Sequence, residues 1–174
     1  MSEIKKHTES EKTVSTTLQI VVFKLGQEEY GLHIGQIKEV VITPAITRMP
    51  QTPGFVKGVA NVRGNVIAIL DLEEKFGLVG NAEASKKGNN FTLVIESDEY
   101  KMGILVREVP NTLSISSSSI GESIFSGDQA EQSYITGIVK LEKRLIIMID
   151  IFKVVTDSEA AQLFKSKTTH AAEA

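Results

Sequence analysis

The 174-residue chain contains no cysteine and no tryptophan, and only three histidines. Without cysteine there is no disulfide framework and no thiolate ligand for zinc, which fits a reducing compartment such as the cytoplasm. His7 and His170 lie toward the two ends, leaving His33 alone in the middle of the chain. A transition-metal site needs more ligands than that, and no catalytic triad can be assembled around one histidine. His33 stands between Leu32 and Ile34 in a strand-like run, so a solvent-facing or locally bonded imidazole is expected rather than a base.

An excess of positive charge is also missing. Nineteen Lys and Arg against 22 Asp and Glu give a net charge of −3, so no basic field gathers phosphates. Nucleic acid and anionic membrane are therefore not expected partners. The longest clean apolar runs, 66–70 and 145–149, are five residues each, against about 20 needed to span a bilayer. Residues 1–16 are polar and charged, without the apolar core of a signal peptide. Direct membrane insertion is not expected. The stretch GNAEASKKG at 80–88 lacks the spacing of a phosphate-wrapping loop and reads as a linker, so no nucleotide or other cofactor is expected. Glu28-Glu29 and Glu73-Glu74 are neighbours in sequence, but adjacent side chains diverge on strands and on helices, which predicts solvated surface.

What the chain does have is an internal repeat. GFVKGVANVRGNVIAILDL at 54–72 aligns without a gap on SYITGIVKLEKRLIIMIDI at 133–151, so that Gly58, Ile67 and Asp71 recur as Gly137, Ile146 and Asp150. Upstream, Glu28-Glu29-Tyr30 aligns with Asp98-Glu99-Tyr100, and Ile37-Lys38-Glu39-Val40 with Val106-Arg107-Glu108-Val109. Two copies of one unit are implied, the first over about 17–80 and the second over about 89–155. Functional differences are then to be sought between the copies. The first carries Lys57, Asn61 and Arg63 where the second has Thr136, Lys140 and Glu142.

Each copy has the period of strands. Runs at 19–25, 29–34, 56–62 and 65–72 in the first copy match 91–96, 100–106, 133–141 and 145–151 in the second. Gly64 at the 63–64 turn supplies the positive φ of a tight hairpin. Pro44, Pro50 and Pro53 break the middle of the first copy, and 114–119 with 121–132 form the long connection of the second. Asp71 and Asp150 each precede a short helical stretch, 72–76 and 151–155, and are read as helix caps rather than catalysts. A last helix is expected over 157–165, with frayed ends at 1–16 and 166–174. The fold class is mainly β: two small barrels packed around a shared apolar interface, with short helices.

Several motifs bear on function together. Phe23-x-Leu25-Gly26-x-Glu28-Glu29-Tyr30-Gly31, Ile34-x-x-Ile37-x-Glu39-Val40, the run from Pro53 to Gly64 ending in Asn61-Val62-Arg63-Gly64, and Asp71-Leu72 before a helix resemble the CheW-like domains of bacterial chemotaxis over about 18–155. The resemblance implies two SH3-like five-stranded β-barrels around a common core, spanning 17–165, without catalytic activity. It implies a cytoplasmic adaptor recruited to membrane chemoreceptor arrays. Its partners would be the cytoplasmic tips of methyl-accepting chemotaxis proteins and the CheW-like regulatory domain of the histidine kinase CheA. Carried over by motif position, Ile37, Glu39, Lys57, Gly58 and Arg63 form a receptor-facing or assembly-critical set, with Met102, Gly103 and Val109 near the groove between the barrels in which, by the same resemblance, the receptor tip binds. Arg63 has a second reading, an internal ion pair that braces its hairpin. Two other classes stay open at this point: an adaptor of the same fold in another pathway such as surface motility, and a tandem-barrel enzyme with a ligand between the copies.

Overall fold

The computed structural model describes residues 16–78, 88, 90–98, 100–121 and 134–155. The helix expected at 157–165, both expected tails, most of the 80–88 linker and most of the 121–132 connection lie outside the described residues.

Chain order is β1 (Thr17–Leu25), β2 (Glu28–His33), a 3-10 turn (Ile34–Gln36), β3 (Ile37–Ile42), β4 (Val56–Val62), β5 (Asn65–Leu70) and α1 (Leu72–Lys75). There follow β6 (Phe91–Glu96), β7 (Lys101–Val106), β8 (Asn111–Ser116), a second 3-10 turn (Ser117–Ser119), β9 (Ile120–Gly121), β10 (Ile135–Leu141), β11 (Arg144–Ile149) and α2 (Ile151–Val154). Asp71 Oδ1 accepts from the Glu74 amide and Asp150 Oδ1 from that of Phe152, so both aspartates cap as read from the sequence. The segment 114–116 does not belong to a connection. It is the end of β8, where pairing with β1 sets Leu113 opposite Ile20 and Ile115 opposite Leu18, and so places two apolar residues among small polar ones in register with a core.

The strands form two sheets, β8-β1-β2-β11-β10-β9 and β3-β6-β7-β5-β4. Neither belongs to one copy. The first hairpin of each copy, β1–β2 or β6–β7, is built into the sheet that holds the rest of the other copy. Two parallel junctions carry this exchange. β2 pairs β11 with Gly31 beside Met148, and β5 pairs β7 with Ile69 beside Gly103. Gly31 and Gly103 are equivalent: a Cβ on Gly31 would lie 2.6 Å from Met148 Sδ, and one on Gly103 2.7 Å from Ile69 Cδ1. This equivalence corrects the upstream alignment. Val22 faces Gly31 as Val94 faces Gly103, so Tyr30 corresponds to Met102 rather than Tyr100. Similarly, β3 on β6 matches β8 on β1, which makes Asn111 the counterpart of Glu39.

Burial follows the exchange. Ala60, Val62, Ile67, Ile69, Val94 and Leu105 fill the interior of the five-stranded sheet. Ile20, Val22, Ile115, Val139, Ile146 and Met148 fill that of the six-stranded one. Between them lies the larger shared core, eighteen buried side chains drawn from both sheets and both helices, including Phe23, Leu32, Leu70, Ile95, Ile104 and Ile151. Strands at this interface are buried on both faces, hence the unbroken apolar runs in β1 and β5 to β7. A ladder of rings crosses the same region, Phe23 to Tyr30 to Phe76 to Tyr134, with centroids 6.4, 5.7 and 5.0 Å apart.

The recurring Gly58 and Gly137 sit at matching bulges, Val56/Gly58 and Ile135/Gly137. Gly58 has φ +141°, and a Cβ there would lie 2.1 Å from the carbonyl oxygen of Thr47. The Thr47 to Val59 bridge needs that close approach, as β9 does beside Gly137. Gly58→Ala is expected to cost about 3 kcal/mol or more, combining backbone strain with displacement of a strand. Gly64→Ala, at φ +85° with nothing within 4 Å, should cost only about 1 kcal/mol. Urea midpoints at unchanged slope measure both; equal losses would show that the Thr47 approach is not limiting.

Candidate docking surface

The Arg63-Gly64 turn joins β4 to β5 with both residues at positive φ, 50° and 85°, as a two-residue hairpin of matching twist requires. Asn61 Oδ1 accepts from the Gly64 amide at 2.9 Å and holds the turn closed. The turn aims Arg63 across the barrel mouth, where its Nε donates to Glu39 Oε2 at 2.7 Å. Glu39 lies on β3 just past a bulge, Ile37/Glu39, that turns its carboxylate toward the seam. Since β3 and β4 are the two edges of the five-stranded sheet, this ion pair ties one edge to the other. The Arg63 side chain remains 72% exposed, so its contribution to stability is small and it stays accessible to a partner.

Lys57 is not part of that cluster. It stands at the opposite end of β4, about 20 Å from Arg63 at the strand rise per residue, and its Nζ reaches Glu74 and, at 4.0 Å, Asp71 Oδ2. Burial pushes the Asp71 carboxyl up from its ordinary value, opposed by the Glu74 amide and Lys57. Gly58, Met102 and Gly103 are interior: the first is a bulge, Met102 is a core side chain, and Gly103 is a parallel junction. Any influence of these three on a partner passes through packing. Ile37 is partly buried against the shared core, whereas Val109 is 62% exposed. His33 faces solvent.

The exposed aliphatics draw the rest of the surface. Along β3, Ile37, Glu39 and Val41 turn inward while Lys38, Val40 and Ile42 turn out, and Ile42 reaches 80% exposure. The two segments that cross between the sheets, Ile34–Gln36 and residues 107–110, each carry an exposed aliphatic, Ile34 and Val109. Val66 and Leu145, at corresponding positions of the two closing hairpins, are also exposed. Ile42 is absent from the motif-derived set. Its signal is the outward alternation of β3, visible once that strand is placed. Two acidic residues expected in solvent are instead paired. Glu29 is half-buried with Arg144, Nη2 to Oε1 at 2.8 Å, and Glu73 is 6% exposed against Arg107.

Among the described residues no group of three or more His, Asp or Glu is placed to hold a metal ion, and no helix is long and apolar enough to cross a membrane. The described surface thus presents exposed aliphatic side chains and, at the seam between β3 and β4, an accessible ion pair.

A family model described as the CheW-like domain matches residues 19–159. A chemotaxis protein CheW of Klebsiella aerogenes is 32% identical over 152 residues, covering 87% of this chain and 90% of that protein. A chemotaxis protein CheW of Helicobacter pylori is 33% identical over 137 residues, covering 77% and 79%. Among solved structures, that of the scaffolding protein TtCheW from Thermoanaerobacter tengcongensis superposes with a TM-score of 0.70 at 30% identity, covering 83% of this chain and 96% of that one.

Two measurements test these electrostatics. Arg63→Ala and Glu39→Ala, alone and combined, should give a coupling energy below about 1 kcal/mol with a cooperative melt retained; a larger coupling would make the seam pair structural. The Arg144 guanidinium beside Glu29 holds that carboxyl below its ordinary 4.5, with Lys24 adding to the effect. A depressed carboxylate stabilises fully above its ordinary value and ceases to do so as pH falls through its folded value. Glu29→Gln should therefore be less stable than the parent near neutrality, with the gap closing in acid. A gap that is constant with pH would refute that account.

Proposed function

The chain belongs to the CheW-like domain family and is a scaffold of bacterial chemotaxis, and we propose that it couples chemoreceptors to their histidine kinase without catalysing a reaction. In this reading it joins the cytoplasmic helical tips of methyl-accepting receptors to the CheW-like regulatory domain of the kinase CheA at membrane-associated arrays. The observation that carries the proposal is the family match running through both sheets, over a surface that offers apolar side chains and an accessible ion pair.

A receptor tip is a helical hairpin, and a helix presents an apolar stripe at i, i+3 and i+4. Ile34 and Val109, on the two crossovers, supply apolar contact for such a stripe. Ile37 backs them from the rim of the core, and the Glu39–Arg63 pair sets register through charge. Gly58 and Gly103 hold the strands that carry these groups. Pairwise contacts need only be micromolar, about −8 kcal/mol, because many simultaneous contacts in an array raise the effective concentration. Weak single contacts also let the assembly respond to ligand.

Calorimetry with a receptor cytoplasmic hairpin and with the kinase regulatory domain, each alone and then both, tests the reading. Simultaneous binding at separate sites is expected; binding to neither would sink it. Val109→Asp should weaken receptor binding at least tenfold with an unchanged melt, since the site is already solvent-facing. Arg63→Ala should weaken it less and leave the fold intact. Unaltered receptor affinity in both variants would move the docking surface elsewhere.

A further inference from the structure

We infer that Glu73 is a one-sided ionic clasp between the two sheets, and that breaking it releases the β1–β2 turn while both barrels stay folded. Glu73 lies on α1, directly after β5 of the five-stranded sheet, and is 6% exposed. Its Oε1 accepts from the amide of Gly26, at 3.1 Å, which is the turn of β1–β2 in the six-stranded sheet. Arg107 closes on the same carboxylate as a fork, Nε to Oε1 at 3.0 Å and Nη2 to Oε2 at 2.6 Å. Arg107 stands where the chain leaves β7 of one sheet for β8 of the other. One carboxylate therefore holds three things: a helix, a hairpin turn from the opposite sheet and a crossover.

The base of the turn is held by the Leu25 to Glu28 pairing and by the buried Leu25 side chain. Gly26 rests near the Leu78 side chain, and the Leu78 amide donates to the Glu73 carbonyl at 2.8 Å, so that contact is itself anchored on Glu73. A fork of two charge-assisted hydrogen bonds with a backbone amide is the geometry in which a buried carboxylate is stabilised rather than stranded. Consistently, the Arg107 guanidinium, and after it the Gly26 amide, hold the Glu73 carboxyl below its ordinary range. Asp71 also faces Arg107 and adds to the positive group's retention of charge.

The pseudo-symmetry makes the clasp informative. In the pseudo-symmetric counterpart of this site the position of Glu73 is taken by Phe152, and that of Arg107 by Gly35, neither of which can form an ion pair. The two equivalent sites of a nearly symmetric body are thus joined differently, by an arginine fork on a carboxylate at one and by Phe152 packed on the shared core at the other. Among the described residues an ion pair therefore opposes relative movement of the sheets at one of the two sites, and a single long hydrogen bond from an uncharged donor, Gln36 Nε2 to Asp150 Oδ1 at 3.5 Å, stands at the other; this asymmetry goes beyond the docking role and does not depend on it.

Hydrogen exchange on the full chain tests this. In Glu73→Gln, protection of the Gly26 amide should fall about ten- to a hundredfold, the loss expected for a hydrogen bond to a charged acceptor. Amides in β5 and β11 should keep their protection. Arg107→Lys, which keeps the charge but not the fork, should show the same local pattern in smaller degree. Unchanged exchange at Gly26 would overturn the inference. So would an equal loss at every amide, or failure of both variants to fold, since the pair would then support the whole structure and not one turn.

Discussion

Every other feature of this molecule rests on two parallel strand pairings between its copies, β2 with β11 and β5 with β7. Parallel strands cannot be joined by a tight turn, so these pairings are made by segments far apart in the chain. They convert two tandem copies into one body: remove either hairpin and the sheet of the other copy loses two strands. The close passage of side chains at Gly31 and Gly103 shows how tightly each junction is seated. The shared core follows from it, because exchanged strands carry apolar residues on both faces and must be covered from both sides.

Among the described residues, three arginine-carboxylate pairs occupy three kinds of position in this frame and act accordingly. Glu29–Arg144 spans the β2–β11 junction itself, Glu39–Arg63 spans the open seam of a barrel, and Glu73–Arg107 lies where the chain leaves one sheet for the other, with the Gly26 amide of the six-stranded sheet on the same carboxylate. Solvent weakens such a pair and burial strengthens its demand for a partner. The seam pair, the most exposed, is the one a binding partner can reorganise at little cost. The clasp, the most enclosed, is suited to holding geometry. The same chemistry thus serves recognition at one place and architecture at another.

The repeat was readable because its second half carries fixed landmarks, glycine at a bulge and aspartate at a cap, that recur for steric reasons. The first half misled in two steps: Glu39 aligned with Glu108, three residues short of its structural match Asn111, and a pair of tyrosines aligned two residues away from the structural match of Gly31 with Gly103. At the tyrosines, a slip of two keeps every side chain on its own face of the sheet, so the hydrophobic pattern gave no warning there. Strand exchange was invisible for a related reason, since β1 would satisfy its apolar faces equally well in either copy and only tertiary packing decides. β8 was missed because Ser114 and Ser116 resemble a loop until Leu113 and Ile115 find β1. Of the motif-derived site, the ion pair of Arg63 was legible as one of two readings. The separation of Lys57 from it was not, because residues on one strand look adjacent in sequence however far the strand carries them. Glu73 gave no sign of burial, since its arginine lies 34 residues away.

Strand exchange also bears on how the chain is made. Arg144, which marks the start of the strand that covers β2, lies 115 residues beyond Glu29. At a synthesis rate of about 5–20 residues per second, the first hairpin waits on the order of ten seconds for its partner to leave the ribosome. A lone two-stranded hairpin is barely stable in water, and this one holds Ile20, Val21, Val22 and Phe23 bare on both faces meanwhile. Nascent chains on one messenger expose identical hairpins to one another during that interval, and the intramolecular pairing that defines the finished protein has an intermolecular competitor of the same sequence. Capture of β1–β2 by β11 of the same chain therefore competes during translation with capture by a neighbouring chain.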